Sequence, residues 1–188
     1  MRKVLFGLLA GLMMTGSAFA ADENLKIIGD SMEVVVETDD GPFTITRHMT
    51  GCAKNKGWLQ PLIPAAGIHP VTEIEVLNAL GDDSFVVVDM RTVEWRTKAT
   101  IPGSVHIPYT EVAMRLDELG CSKKSDGTFE CASPKKVVGF CNGPVCPQSP
   151  MAMKAMIREG FPAENIYYYR GGMLDWDALG LSVLEGAF

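Results

Sequence analysis

Two rhythms of apolar and polar positions divide the chain near Pro70. Before it, MEVVVETDDGPFTITRH sets β-branched residues on both sides of Asp39-Asp40-Gly41, the pattern of two strands joined by a tight turn. GWLQPLIPAAGIHPV follows, and its closely spaced prolines predict an extended linker laid on the surface. After Pro70, helical spacing and short unbroken apolar runs take turns. Thr72 and Glu75 make a capping box ahead of Ile74, Val76, Leu77 and Leu80, with Gly81 as the stop. SFVVVDM is a buried-strand run, Thr92 to Lys98 suits a short helix, and IPGSVHIPY reads as a bent segment with a brief strand. Thr110 caps a predicted helix through Val112, Ala113, Leu116 and Leu119 that Gly120 ends. Lys136 to Phe140 is another strand. Ser149, with Pro150 at the first helical position, opens a helix through Met153, Met156 and Ile157 that stops at Gly160. Ile166 to Tyr169 is the last strand, and RGGMLDW leads into a short final helix. Short apolar strands separated by helices predict an α/β fold with a parallel sheet covered on both faces.

The first 20 residues change the picture of where these elements work. Arg2 and Lys3, an apolar run from Val4 to Met14 and the ending Ala18-Phe19-Ala20 form a secretory signal, with cleavage expected after Ala20. That run is too short to span a bilayer, so no membrane span is expected once it is removed. The rest reads as an exported, periplasmic or secreted chain: an extension over residues 21–71 and one domain over 72–188. Loss of Arg2 and Lys3, with no acidic residue, takes the net charge from -6 to -8. An acidic chain without a basic run argues against nucleic acid or an anionic membrane surface as partner.

Five cysteines in an oxidising compartment leave at least one unpaired within the chain. Cys121 and Cys131 bracket CSKKSDGTFEC, whose Ser-Asp-Gly turn signal brings its ends together, and they read as a structural disulfide. Cys52 sits in an irregular segment and reads as a buried or pairing cysteine. Cysteine and histidine spacings give no tetrahedral zinc pattern, and His48, His69 and His106 are scattered, so no metal or other cofactor is expected. Met151, Met153 and Met156 lie at helical spacing and read as core packing rather than a soft-metal site.

Cys141 carries the chemistry. It stands just past a strand run, where ligands of open parallel sheets sit, and the loop from Asn142 to Gln148 leads into a helix start. Unpaired amides and the partial positive charge of a helix N-terminus stabilise an anion or a thiolate there, and the same field lowers a cysteine pKa from about 8.5. Gly143 lets the loop turn its amides inward.

From about Pro70 onward the chain resembles a rhodanese domain. VVVDMRTVEWRTKATIPGSVHIPY resembles the family's first signature, Cys141 stands at the place of its catalytic cysteine, and RGGMLDWDALGL resembles its closing Gly-Gly-x-x-x-Trp signature. The resemblance implies a five-stranded parallel sheet with helices on both faces, to which this chain adds a small N-terminal hairpin. It also implies a sulfurtransferase. Cys141 would take a sulfane sulfur from a donor such as thiosulfate, hold it as a persulfide and pass it to a thiol or cyanide acceptor. Backbone amides across Asn142, Gly143, Pro144, Val145, Cys146, Pro147, Gln148 and Ser149 would cradle it. Asp89 and Arg91 match the first signature in a structural or pocket-lining role, with a buried ion pair as the reading for Arg91. Trp176 reads as core.

The departures bear on substrate. NGPVCPQ has no basic residue, so binding of a dianion would rest on backbone amides and any arginine reaching in. The loop is slightly longer than the common six-residue form, as in related phosphatases and arsenate reductases. Their Cys-x5-Arg pattern would need arginine at 147, where this chain has Pro147, and phosphoryl transfer would lack its bidentate guanidinium. Cys146 leaves three roles open: bystander, resolving thiol that opens the Cys141 persulfide, or lock in a permanent disulfide. A strand-to-helix loop argues against the lock. The alternative to sulfur transfer is a non-turnover redox or persulfide-binding module using Cys141 and Cys146.

Overall fold

Short runs of valine and tyrosine suit strands buried on both faces, and the computed structural model builds them into one sheet. It describes residues 24–48 and 57–187, so the readings of the secretory signal and of Cys52 lie outside the described residues. In chain order the elements are β1 (Glu33–Thr38), β2 (Gly41–Thr46), β3 (His69–Pro70), α1 (Glu73–Leu80), β4 (Phe85–Asp89), α2 (Val93–Lys98) and β5 (Val105–His106). Two 3-10 turns follow, then β6 (Ser122–Lys123), β7 (Phe129–Glu130), β8 (Lys136–Phe140), α3 (Gln148–Arg158), β9 (Ile166–Tyr169) and α4 (Gly172–Ala178). β8 is the centre of a five-stranded sheet in the order β3-β9-β8-β4-β5. Every pairing in it is parallel.

Successive strand residues point to opposite faces, so each strand feeds two cores. Val88, Val137 and Tyr168 pack with Met153 and Met156 of α3 and with Leu116 and Leu119. Val87, Val138, Phe140 and Tyr169 pack instead with Val76 and Ala79 of α1 and Trp176 of α4. Gly139 in β8 makes room for this packing, because a Cβ there would lie 2.6 Å from Met90 Cε and 2.7 Å from Met153 Cε. Met153 and Met156 are core, whereas Met151 is 54% exposed. Truncating either buried methionine to alanine should cost about 2–5 kcal/mol.

Four readings of local structure are corrected. The fifth strand, β3, comes from the proline-rich stretch that reads as linker: Ile68 is core, and His69 and Pro70 pair with Tyr167 and Tyr168 at the sheet edge. A proline is tolerated on an edge strand, where its missing N–H breaks no central ladder. The helix expected from Thr110 is instead two 3-10 turns, Val112–Met114 and Leu116–Leu119, with Arg115 between them at φ -122, ψ 31. Arg115 pairs with Glu111 and Glu118 on either side of this break, and Gly120 ends the segment at φ +91. α3 starts at Gln148 with Pro147 as its cap residue, so Pro150 lies within the first turn, where its missing N–H costs nothing. α4 begins inside RGGMLDW rather than after it.

Outside the sheet, β1 and β2 form an antiparallel hairpin through a turn at Asp39-Asp40, with Thr38 paired to Gly41. Glu75 accepts from the Thr72 N–H at 2.8 Å and from its hydroxyl at 2.7 Å, fixing the start of α1. A second hairpin, β6 with β7, is closed by a Cys121–Cys131 disulfide whose Cα atoms are 4.3 Å apart. No helix of the described residues is long and apolar enough to cross a membrane.

Candidate active site

β8 delivers Cys141 to the carboxyl end of the central strand, between β4 and β9. The next residues fold into a turn, with the Cys146 N–H donating to the Gly143 carbonyl at 3.0 Å. That turn brings the Cα atoms of Cys141 and Cys146 to 6.2 Å, and their sulfurs are joined as a disulfide. Position in the loop argues against this bond; the turn supplies the geometry for it. Cys141 is 1% exposed and Cys146 6%, so the pair is enclosed. Gln148 Oε1 lies 3.7 Å from the Cys141 sulfur and 3.9 Å from that of Cys146, a carboxamide shared between both.

The loop carbonyls are taken by neighbouring elements. Met173 N–H donates to the Cys141 carbonyl at 3.1 Å and Leu174 N–H to that of Asn142 at 2.9 Å, both from the first turn of α4. Gly172 permits this approach: its φ is +57, and a Cβ would collide with the Cys141 carbonyl. Gln60 N–H donates to the Pro144 carbonyl at 2.8 Å. Among the described residues, no backbone carbonyl accepts from the N–H of Asn142, Gly143 or Val145. Amides so placed, at the head of α3, are free to meet an anion.

Asp89 and Arg91 brace the same end of the sheet. Arg91 donates to Asp89 through Nε at 2.9 Å and Nη2 at 2.7 Å, to the Ala99 carbonyl at 2.6 Å, and through Nη1 to Asn142 Oδ1 at 3.1 Å. Asp89 is fully buried and Arg91 2% exposed. The Thr100 hydroxyl donates to Asp89 at 2.7 Å, and Arg96 lies 3.9 Å from the same carboxylate. Burial holds the Arg96 guanidinium below its ordinary pKa, opposed by Asp89. A His106 ring nitrogen meets the Arg91 carbonyl at 2.9 Å. Every described contact of Arg91 is structural, and its only reach into the loop is through Asn142. A cavity of about 290 Å³ opens beside this network, lined by Arg91, Trp95, Lys98, Asn142, Met173 and Leu174.

Ser149 and Tyr168 are both fully buried, and among the described residues neither hydroxyl has a hydrogen-bond partner. Burial raises the Tyr168 phenol to about 12, with the nearby Ser149 hydroxyl pulling the other way. Cys121 and Cys131 close the β6–β7 hairpin and take no part in the loop. Among the described residues no group of three His, Cys, Asp or Glu side chains is arranged to hold a metal ion.

The Rhodanese-like domain family matches residues 72–179. The chain belongs to the rhodanese-like family. Among curated proteins it is similar to the HTH-type transcriptional regulator Rv0324 of Mycobacterium tuberculosis, 30% identical over 62% of this chain and 45% of that protein. It is also similar to the putative sulfur carrier protein YrkF of Bacillus subtilis, 33% identical over 50% of this chain and 43% of that protein. Arsenate reductase 2.2 of Oryza sativa subsp. japonica is 30% identical over 63% of this chain and 89% of that protein. The chain thus spans less than half the length of the first two relatives. A solved thiosulfate sulfurtransferase from Pseudomonas aeruginosa is 21% identical at a TM-score of 0.46, covering 61% of this chain and 19% of that one.

Gly57 and Gln60, which meet the loop through its backbone, and Arg170, which reaches only the Gln60 carbonyl, escape sequence reasoning. Of the residues at the loop outside it, only the second glycine of the closing signature, Gly172, carries a visible signal.

Proposed function

We propose that this chain is an exported sulfurtransferase that carries a sulfane sulfur on Cys141. One observation carries the reading: Cys141 leaves the central strand into a turn whose carbonyls are tied away from it, at the head of α3. In the reduced protein the Cys141 thiolate attacks the outer sulfur of a donor such as thiosulfate. The donor S–S bond breaks, sulfite leaves with the electron pair, and a Cys141 persulfide remains. Cyanide or an acceptor thiolate then takes the outer sulfur and returns the thiolate. Amides of the loop and the α3 dipole offset the negative charge that collects on sulfur. The likeness to a sulfur carrier protein supports this class of chemistry. The likeness to an arsenate reductase does not bring the oxyanion chemistry with it, because Pro147 stands where the Cys-x5-Arg guanidinium would be. Export rests on the pattern of residues 1–20.

The Cys141–Cys146 bond favours a second reading, a redox module that does not turn over. In the transfer reading that bond is an oxidised form. The Cys146 thiolate attacks Cys141 Sγ of the persulfide, hydrosulfide leaves, and a dithiol reductant reopens the disulfide. Thiocyanate production from thiosulfate, or from a polysulfide, and cyanide separates the two. The reduced chain should turn over and Cys141→Ser should not. No thiocyanate with any sulfane donor would leave the redox module as the better account.

A further inference from the structure

We propose that Gln60 is a positioning residue for the Cys141–Cys146 pair: with Gly57 and Arg170 it clamps the outer side of the Gly143–Cys146 turn and favours the disulfide over the dithiol. The inference rests on the reading of this pair as exchange-active, and not on turnover.

Gln60 is a polar residue only 6% exposed, in a proline-rich segment without regular structure. Its main chain joins two parts of the site. The N–H donates to the Pro144 carbonyl at 2.8 Å, and the carbonyl accepts from Arg170 Nη1, just past β9, at 3.2 Å. Its side chain folds back to the Trp58 carbonyl at 3.2 Å. Gly57 lies so close to the Val145 carbonyl that a Cβ would collide with it. The segment is itself anchored: Leu59 N–H donates to the Ile27 carbonyl at 2.8 Å, and Arg47 bridges the Gly57 and Lys26 carbonyls.

Cys141 is set by β8 and α4, whereas Cys146 lies at the far end of a turn. Besides the disulfide and the turn's own Cys146 N–H to Gly143 bond, the Pro144 and Val145 carbonyls are met by the extension, through the Gln60 N–H and Gly57. Opening the disulfide removes the covalent link and leaves the clamp to keep the thiols near each other. Intramolecular closure depends on the effective concentration of the two ends, so a clamped turn favours the bond and a loose one disfavours it. In the reaction with dithiothreitol, the protein S–S bond breaks and two electrons and two protons pass from the dithiol. The products are two cysteine thiols and the cyclic disulfide of the reagent.

The test is the equilibrium of each disulfide of the purified chain in dithiothreitol redox buffers, read by alkylation and peptide mass. Cys121–Cys131 serves as the internal reference. Gln60→Pro, which deletes the N–H, and Gly57→Ala, which pushes on the Val145 carbonyl, should move the Cys141–Cys146 equilibrium roughly three- to tenfold toward the dithiol. Cys121–Cys131 should not move, and Gln60→Ala, which keeps both backbone bonds, should behave as the parent. If Gln60→Pro does not fold, Gly57→Ala and Arg170→Met decide on the same criterion. An unmoved Cys141–Cys146 equilibrium, an equal shift in both disulfides, or a shift in Gln60→Ala would overturn the proposal. Failure of the thiocyanate assay leaves this equilibrium measurable, so the two readings can fail separately.

Discussion

Cys121–Cys131 and Cys141–Cys146 are the same bond in opposite surroundings. The first closes a two-stranded hairpin whose strands already pair, Ser122 with Glu130 and Lys123 with Phe129. The second lies where the central strand of a parallel sheet ends, against the first turns of two helices and beside a buried arginine pair. Removing the first bond loosens a periphery. Opening the second frees two thiols at the head of α3, where helix-end amides and dipole favour an anion in general. Chemistry here follows from what surrounds the sulfur, not from the presence of a disulfide.

The largest contrast is in activity. Cys141→Ser should abolish sulfur transfer from thiosulfate or a polysulfide to cyanide, while the Cys121→Ser/Cys131→Ser double variant should retain it; equal loss in both would erase the distinction. Next is Arg91→Met, which leaves the Asp89 carboxylate buried with one charge partner gone. A loss of about 3–5 kcal/mol in urea unfolding is expected. A loss below about 1 kcal/mol, the range of surface pairs, would mean that the network does not hold the sheet end. The double variant at Cys121 and Cys131 should cost about 2–3 kcal/mol, as for a short closed loop, with the alkylation rate of reduced Cys141 unchanged. The smallest effect is at α1. Thr72, through its hydroxyl and then its N–H, holds the Glu75 carboxyl below the usual range. A depressed acid stabilises the fold above its unfolded pKa and loses that contribution as pH falls through the folded value. Thermal scans of Glu75→Gln should therefore fall slightly below the parent near neutral pH and converge with it in acid, with both disulfides indifferent to the change.

Much of this contrast is legible in the sequence. Contiguous valines and tyrosines mark strands buried on both faces, and a cysteine between such a run and a helix start marks the strand-end site. Ser-Asp-Gly between Cys121 and Cys131 marks the hairpin staple. Other parts are silent for physical reasons. β3 has two residues, one a proline, and takes its place from tertiary packing at an edge rather than from a pattern. The Thr110 segment keeps helical spacing at Val112, Leu116 and Leu119, but its backbone leaves the helical region at Arg115 and gives two 3-10 turns, a break that the spacing of residues does not mark. The Cys141–Cys146 bond depends on a turn whose closing hydrogen bond is backbone to backbone. The Gln60 clamp uses a main-chain N–H that almost any residue would supply, so nothing in residue type announces it.

The most direct test is the intact mass of the reduced chain after brief exposure to thiosulfate or a polysulfide, with the modified peptide then mapped. The account predicts a gain of one sulfur atom located on Cys141, absent in Cys141→Ser and longer lived in Cys146→Ser, where no second thiol can expel it. No added sulfur with any donor, or sulfur found on Cys121 or Cys131 instead, would contradict it.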